Sequence, residues 1–130
     1  MAKYYHPDVL DNGLQYIITN CDEIVLLKGF NASTFTWTDV YTTDKLGTAA
    51  ISGGDITLGN QGTNGRQAQV VQKTINGALA SGAGPDLHVA LVDVSATKVL
   101  AVTDETSDQQ IYANNDVTIP PWNCKMNQPT

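Results

Sequence analysis

The chain offers few residues with chemistry to perform. His88 lies between Asp86 and Asp93 with serines nearby, which is the inventory of a Ser-His-Asp hydrolase. No serine stands in a Gly-x-Ser-x-Gly nucleophile elbow. On an alternating strand, His88 shares a face with Asp86, Ala90 and Val92 and not with Asp93. His6 precedes Pro7 and reads as part of a helix start. No catalytic residue is assigned. Asp104, Glu105 and Asp108 form an acidic loop without the ligand alternation, central Gly or terminal Glu of an EF-hand, so it reads as a solvated turn. Gly59-x-x-Gly62-x-x-Gly65-Arg66 has the wrong spacing for a dinucleotide fingerprint and lacks the Gly-Lys-Ser/Thr of a phosphate loop. Its reading is a β-connection that turns at Asn64-Gly65. Cys21 and Cys124 are too few for a metal site. They read as two buried or half-buried thiols. A disulfide between them would close a very long loop, and forms only in an oxidising compartment. No cofactor or metal is expected.

The elements that would position these residues are mostly strands. Pro7 at a first helical position, Asp8 and Asp11 in the first turns, and Leu10, Leu14, Ile17 and Ile18 on one stripe predict a helix over residues 7–20. Gly13 weakens it and Asn20 can end it. Residues 23–28 read as a buried strand, and 29–48 as a long connection with one helical turn starting at Thr36 or Thr38. Strands at 48–51 and 55–58 flank the Ser52-Gly53-Gly54 turn signal. Residues 66–76 alternate loosely, with Ala68, Val70, Val71 and Ile75 as candidate inward positions, and 81–85 break the pattern. The run 87–94 is apolar enough for a strand covered on both faces, and 98–103 returns as its hairpin partner through Ser95-Ala96-Thr97. Ile111, Val117 and Ile119 belong to further short strands, Pro120-Pro121 marks an edge or break, and 122–126 is a last strand. The expected fold is one mainly-β domain over residues 1–130, a β-sandwich (jelly-roll- or Ig-like) with a single N-terminal helix.

Composition narrows the function classes. The 130 residues are 42% hydrophobic but only 15% charged, with polar uncharged residues filling the gap. Seven basic against thirteen acidic residues give a net charge of −6, which argues against a nucleic-acid partner. No apolar run is longer than Ile24-Val25-Leu26-Leu27 or Val89-Ala90-Leu91-Val92, far short of the roughly twenty residues a membrane span needs. The opening residues lack a signal-peptide h-region, so synthesis in a cytoplasm is expected.

Three stretches carry a resemblance. They are Tyr5-His6-Pro7-Asp8-Val9-Leu10-Asp11-Asn12-Gly13-Leu14, then Leu87-His88-Val89-Ala90-Leu91-Val92-Asp93-Val94 with its return Lys98-Val99-Leu100-Ala101-Val102-Thr103, and Val117-Thr118-Ile119-Pro120-Pro121-Trp122. Together they resemble small virion structural proteins of tailed bacteriophages and prophages, of the head decoration (cement) type. The resemblance implies a viral protein of the capsid surface, non-enzymatic, made in the bacterial host cytoplasm. Its implied partners are the major capsid protein and neighbouring copies of itself. A phage neck, tail or fibre component is the alternative within that class. A small carbohydrate-binding β-sandwich module is the alternative outside it.

Partner contacts are expected where a core explains the residues least: Tyr4 and Tyr5 in the N-terminal arm, Trp37 and Tyr41 in the first long connection, whose i, i+4 spacing shares a helical face but also a strand face, and Asn64 and Arg66 in the Gly-rich one. Symmetric capsid sites favour a homodimer or homotrimer, and the sparse charge predicts weak salt dependence.

Overall fold

The computed structural model describes residues 4–5, 13–60, 65–78, 87–104 and 111–127. In chain order these form β1 (Tyr4–Tyr5), α1 (Leu14–Asn20), β2 (Glu23–Leu27), a π-helical turn (Asp39–Thr43) and β3 (Lys45–Ala50). There follow β4 (Ile56–Asn60), β5 (Gly65–Val70), β6 (Lys73–Ile75), β7 (His88–Asp93), β8 (Lys98–Asp104), β9 (Val117–Ile119) and β10 (Trp122–Asn127). The fold is mainly β. All strand pairs are antiparallel, in a five-stranded sheet β1-β8-β7-β2-β3, a three-stranded sheet β10-β5-β4 and a two-stranded sheet β6-β9.

The apolar run of β7 is buried at every position, as expected of a strand covered on both faces. Its alternation splits the core. Val89 and Leu91 join Ile24, Leu26, Leu46 and Leu100 against the three-stranded sheet (Ile56, Ala68, Val70, Cys124), the two-stranded sheet (Ile75, Ile119) and the helix (Leu14, Ile17). Ala90 and Val92 face the other way with Val25, Leu27, Val99 and Val102. On β8 this period fails, because Leu100 and Ala101 share one face. Leu91 pairs with Ala101 but Val92 with Val99, so Leu100 is the extra residue of a bulge. The hairpin turn is pinned by carboxylates: Asp93 accepts from Ser95 Oγ at 2.8 Å, and Asp22 from Val94 N–H at 3.0 Å.

The helix is shorter than its apolar stripe predicts. Gly13 has φ +71° and ψ −166°, which no helical residue adopts, so the helix starts at Leu14. Residues 7–12 lie outside the described residues. Asn20 does end it, with its side-chain amide donating to Tyr16 O at 3.0 Å.

The Ser52-Gly53-Gly54 turn lies between two strands, as expected. The strands flanking it do not pair; β3 belongs to the five-stranded sheet and β4 to the three-stranded one. The segment carries the chain between layers, and Asp55 clamps it. Asp55 Oδ2 accepts from Ser52 N–H at 2.9 Å and from Lys73 Nζ at 3.1 Å. These contacts, the Ser52 N–H foremost, hold the Asp55 carboxyl below its ordinary value. β3 starts at Lys45, earlier than expected, because a bulge at Leu26/Leu27 masks the alternation there. Gly47 is needed in β3, since a Cβ there would stand 2.6 Å from Ile75 Cγ2.

The expected strand over 66–76 is two strands in two sheets. Val71 is 41% exposed at the crossing and not inward. β4 and β5 do form a hairpin, with Asn60 opposite Arg66. Gly65 already belongs to β5, and Asn64 of the expected Asn64-Gly65 turn lies outside the described residues. The break expected at 81–85 and the acidic residues beyond Asp104 also lie outside them. Pro120-Pro121 separates β9 from β10 as expected. Among the described residues no helix is long and apolar enough to cross a membrane.

Candidate contact site

The long connection between β2 and β3 is the cover of the second face of the five-stranded sheet. Its ends are tied by Lys28 N–H to Asp44 O at 2.9 Å. Asn31 nucleates a turn: its Oδ1 accepts from Ser33 N–H at 3.0 Å and its carbonyl from Phe35 N–H at 3.0 Å. The helical turn starts at Thr36. Thr36 N–H donates to Asp39 Oδ2 at 3.0 Å, and Asp39 N–H donates to Thr36 Oγ1 at 3.2 Å. This reciprocal cap satisfies donors that a helix start leaves open. The turn then widens to π geometry, closed by Asp44 N–H to Asp39 O at 2.8 Å.

This local chemistry aims five large side chains at the sheet. Val40 is buried, and Phe30, Phe35, Trp37 and Tyr41 pack half-buried against Val25, Leu27, Ala90 and Val92. Phe30 and Phe35 meet at 4.9 Å between ring centroids, and Phe30 lies 5.9 Å from the His88 ring. His88 is therefore a core residue of this layer, 1% exposed, while Asp93 serves the hairpin turn at the far end of β7. Asp86 lies outside the described residues; among those described, His88 and Asp93 serve separate parts of the fold.

Trp37 and Tyr41, expected as contact residues, come together. Their rings stack at 4.9 Å with an interplanar angle of 16°. Lys45 Nζ stands 4.1 Å from the Tyr41 centroid, a cation–π contact, and Tyr41 Oη donates to Glu23 Oε1 at 2.5 Å. That hydrogen bond, aided by burial, pushes the Tyr41 phenol up to about 12. Sequence spacing found Trp37 and Tyr41 as an i, i+4 pair; it did not find Glu23 or Lys45, which arrive from β2 and β3. Beside this stack is a cleft of about 270 Å³ lined by Phe30, Asn31, Phe35, Asp39, Val40 and Asp44 among others. It is smaller than a drug-sized ligand site and has room for one side chain. The outward surface of the connection is exposed at Asn31, Ser33, Thr34, Thr36, Thr38 and Thr42, none of them charged.

The other expected contact residues lie elsewhere. Tyr4 and Tyr5 pair with Val102 and Ala101 at the β8 edge of the five-stranded sheet. Arg66 is exposed on β5, between Asn60 and Met126. Asn64 falls outside the described residues. Sequence reasoning also passed over Tyr112, 59% exposed in the loop before β9. The cysteines are both buried in one cluster, with no disulfide between them. Burial pushes the Cys21 thiol up to about 12, so it stays protonated and inert at neutral pH. Among the described residues no group of His, Cys, Asp and Glu is arranged to hold a metal ion.

Comparison of the chain with protein-family models, with curated proteins and with solved structures finds no match.

Proposed function

We propose that this protein is a non-enzymatic structural component of a tailed-bacteriophage virion, a head decoration protein bound to the major capsid lattice beside copies of itself. The observation that carries the reading is the connection 29–44, a surface loop held in one shape. Aromatic side chains anchor it to a fully buried strand, hydrogen bonds close both its ends and its turns, and Thr, Ser and Asn face outward. A loop already ordered loses little entropy on docking, and uncharged hydrogen-bonding groups lose little solvation. Such a surface suits many weak, repeated contacts whose strength the lattice multiplies. The resemblance of the three sequence stretches supplies the viral context. Two of them, β7 with β8 and β9 with the start of β10, are framework here, so the contact surface belongs to the segment between them and α1.

Gold-labelled antibody against this chain on purified virions tests the reading. Label over the whole head supports it. Label restricted to neck, tail or fibres overturns the head assignment. A glycan array answered by the isolated protein at micromolar strength would favour the carbohydrate-binding alternative. Against that alternative, the Tyr41 ring is already engaged by Trp37 and Lys45.

A further inference from the structure

The outward residues of the connection 29–44 carry no charge, but the cleft it encloses does. Its walls include the rings of Phe30 and Phe35, tilted 41° to each other, and buried Val40. Two half-buried aspartates, Asp39 and Asp44, also line it, and Asn31 and Thr34 are its exposed lining residues. The fold uses little of that negative charge. Asp39 Oδ2 accepts from Thr36 N–H at 3.0 Å, and among the described residues no donor is placed on the Asp44 carboxylate. Neither aspartate makes an ion pair among those residues.

The lysines that flank the connection do not neutralise them. Lys45 Nζ is held over the Tyr41 ring at 4.1 Å. Lys28 is exposed, and it meets Asp44 through its backbone N–H, which donates to Asp44 O. In a chain of net charge −6, two carboxylates in one small concavity repel each other and gain from a cation that reaches both. The other walls select the kind of cation. A calcium ion takes about six or more oxygen ligands. Among the described residues no three acidic or metal-ligating side chains come together. An apolar stem with a planar charged head fits better. Its methylenes would lie against Val40, and its guanidinium would stack on an aromatic ring while its fork of donors serves the carboxylates and the Asn31 and Thr34 side chains. Lysine has the stem, but its compact, strongly hydrated head neither stacks nor bridges in this way.

We infer that this cleft receives an arginine side chain from the protein on which the connection docks. The inference rests on the reading above and deepens it by naming what the partner presents there. The rim of Thr, Ser and Asn supplies hydrogen bonds around the insertion point, and the cleft supplies the one charged contact, shielded from salt by its walls. An arginine anchor in a preformed pocket with near-neutral contacts around it is how binding energy concentrates in protein interfaces.

An NMR titration of the full isotope-labelled chain with N-acetyl-arginine methylamide tests it. Amide shifts are expected within 29–44, with a dissociation constant on the order of 1 millimolar, the range open to so small a ligand. The citrulline analogue, which keeps the shape and lacks the charge, binds about tenfold more weakly, and the lysine analogue about threefold. Asp44→Asn weakens arginine binding about fivefold, while Asp116→Asn, which removes the same charge just before β9, leaves it unchanged. A spectrum conserved outside 29–44 shows that Asp44→Asn is folded. No shift within 29–44 at about 50 millimolar arginine ligand, equal binding of the citrulline analogue, or equal binding by the two variants overturns the inference. These measurements use the purified chain, so their failure is distinct from failure of the virion labelling. In purified virions, fewer copies of Asp44→Asn than of Asp116→Asn are expected; equal copy number overturns the assignment of the arginine to the docking partner. Self-association of the wild type that Arg66→Gln abolishes would make the occupant a second copy and overturn it as well.

Discussion

The two faces of the five-stranded sheet are built from the same strands and covered in different ways. One face packs against regular elements, a second sheet and a helix, through Ile, Leu, Val and Cys side chains that are nearly all fully buried. The other is covered by one irregular connection through four aromatic rings and Val40, most of them half-buried. The first face is closed by elements from distant parts of the chain; the second is closed by the single segment 29–44, which adjoins β2 in sequence and reaches across to β7. The difference separates two tasks. The regular side supplies stability, and the irregular side supplies a surface whose outer residues are free to vary in chemistry while its inner ones hold the shape.

Substitutions can break this contrast. The largest effect is expected at Leu91, fully buried in the regular face. Leu91→Ala should lower unfolding free energy by about 2–5 kcal/mol in urea titration. A loss under about half a kcal/mol would remove β7 from the core. Next is Gly47→Ala, where the added methyl must displace buried Ile75; about 1–3 kcal/mol is expected, by the same measurement. Trp37→Ala tests the irregular face and should cost about 1–2 kcal/mol, because the ring is half-exposed and loses mainly its stack on Tyr41. A cost equal to that of Leu91→Ala would erase the distinction between the faces.

Much of this architecture was legible in the sequence, and the failures have physical causes. Strands β2, β7 and β8 announce themselves because two-sided burial forces a continuous apolar run. The Pro120-Pro121 break was legible because proline cannot donate to a ladder. Ser52-Gly53-Gly54 marked a turn between two strands, but not that they belong to different sheets, because a hairpin and a crossing between sheets use the same turn residues. Val71 misled because an apolar residue between two strands looks like the interior of one. Within the candidate site, the i, i+4 spacing of Trp37 and Tyr41 was readable from a helical turn. Glu23 and Lys45 were not, since their approach to Tyr41 depends on the pairing of β2 with β3.

The smallest expected effect sharpens the comparison through pH. Tyr41 is held protonated by its bond to Glu23, with its value raised from 10 to about 12. A folded value above the unfolded one means stabilisation that is complete below pH 10 and is lost as pH rises from 10 to 12. Burial raises Cys21 from 9 to about 12 in the regular face, so its share declines from pH 9 upward. Tyr41→Phe should remove the first component and keep the second, at a cost near neutral pH of about 0.5–1.5 kcal/mol. Melting curves from pH 8 to 12 check this; an unchanged alkaline slope in Tyr41→Phe would place the Tyr41–Glu23 bond outside the folded state's energetics.

The central proposal, docking on a phage head through the connection 29–44, is tested most directly by a cryo-electron microscopy reconstruction of virions that carry this chain. The account predicts density for the protein at regular positions over the head lattice, with Asn31, Ser33, Thr34 and Thr38 turned toward the capsid. Density confined to the tail, or copies on the head with this connection facing solvent, would contradict it.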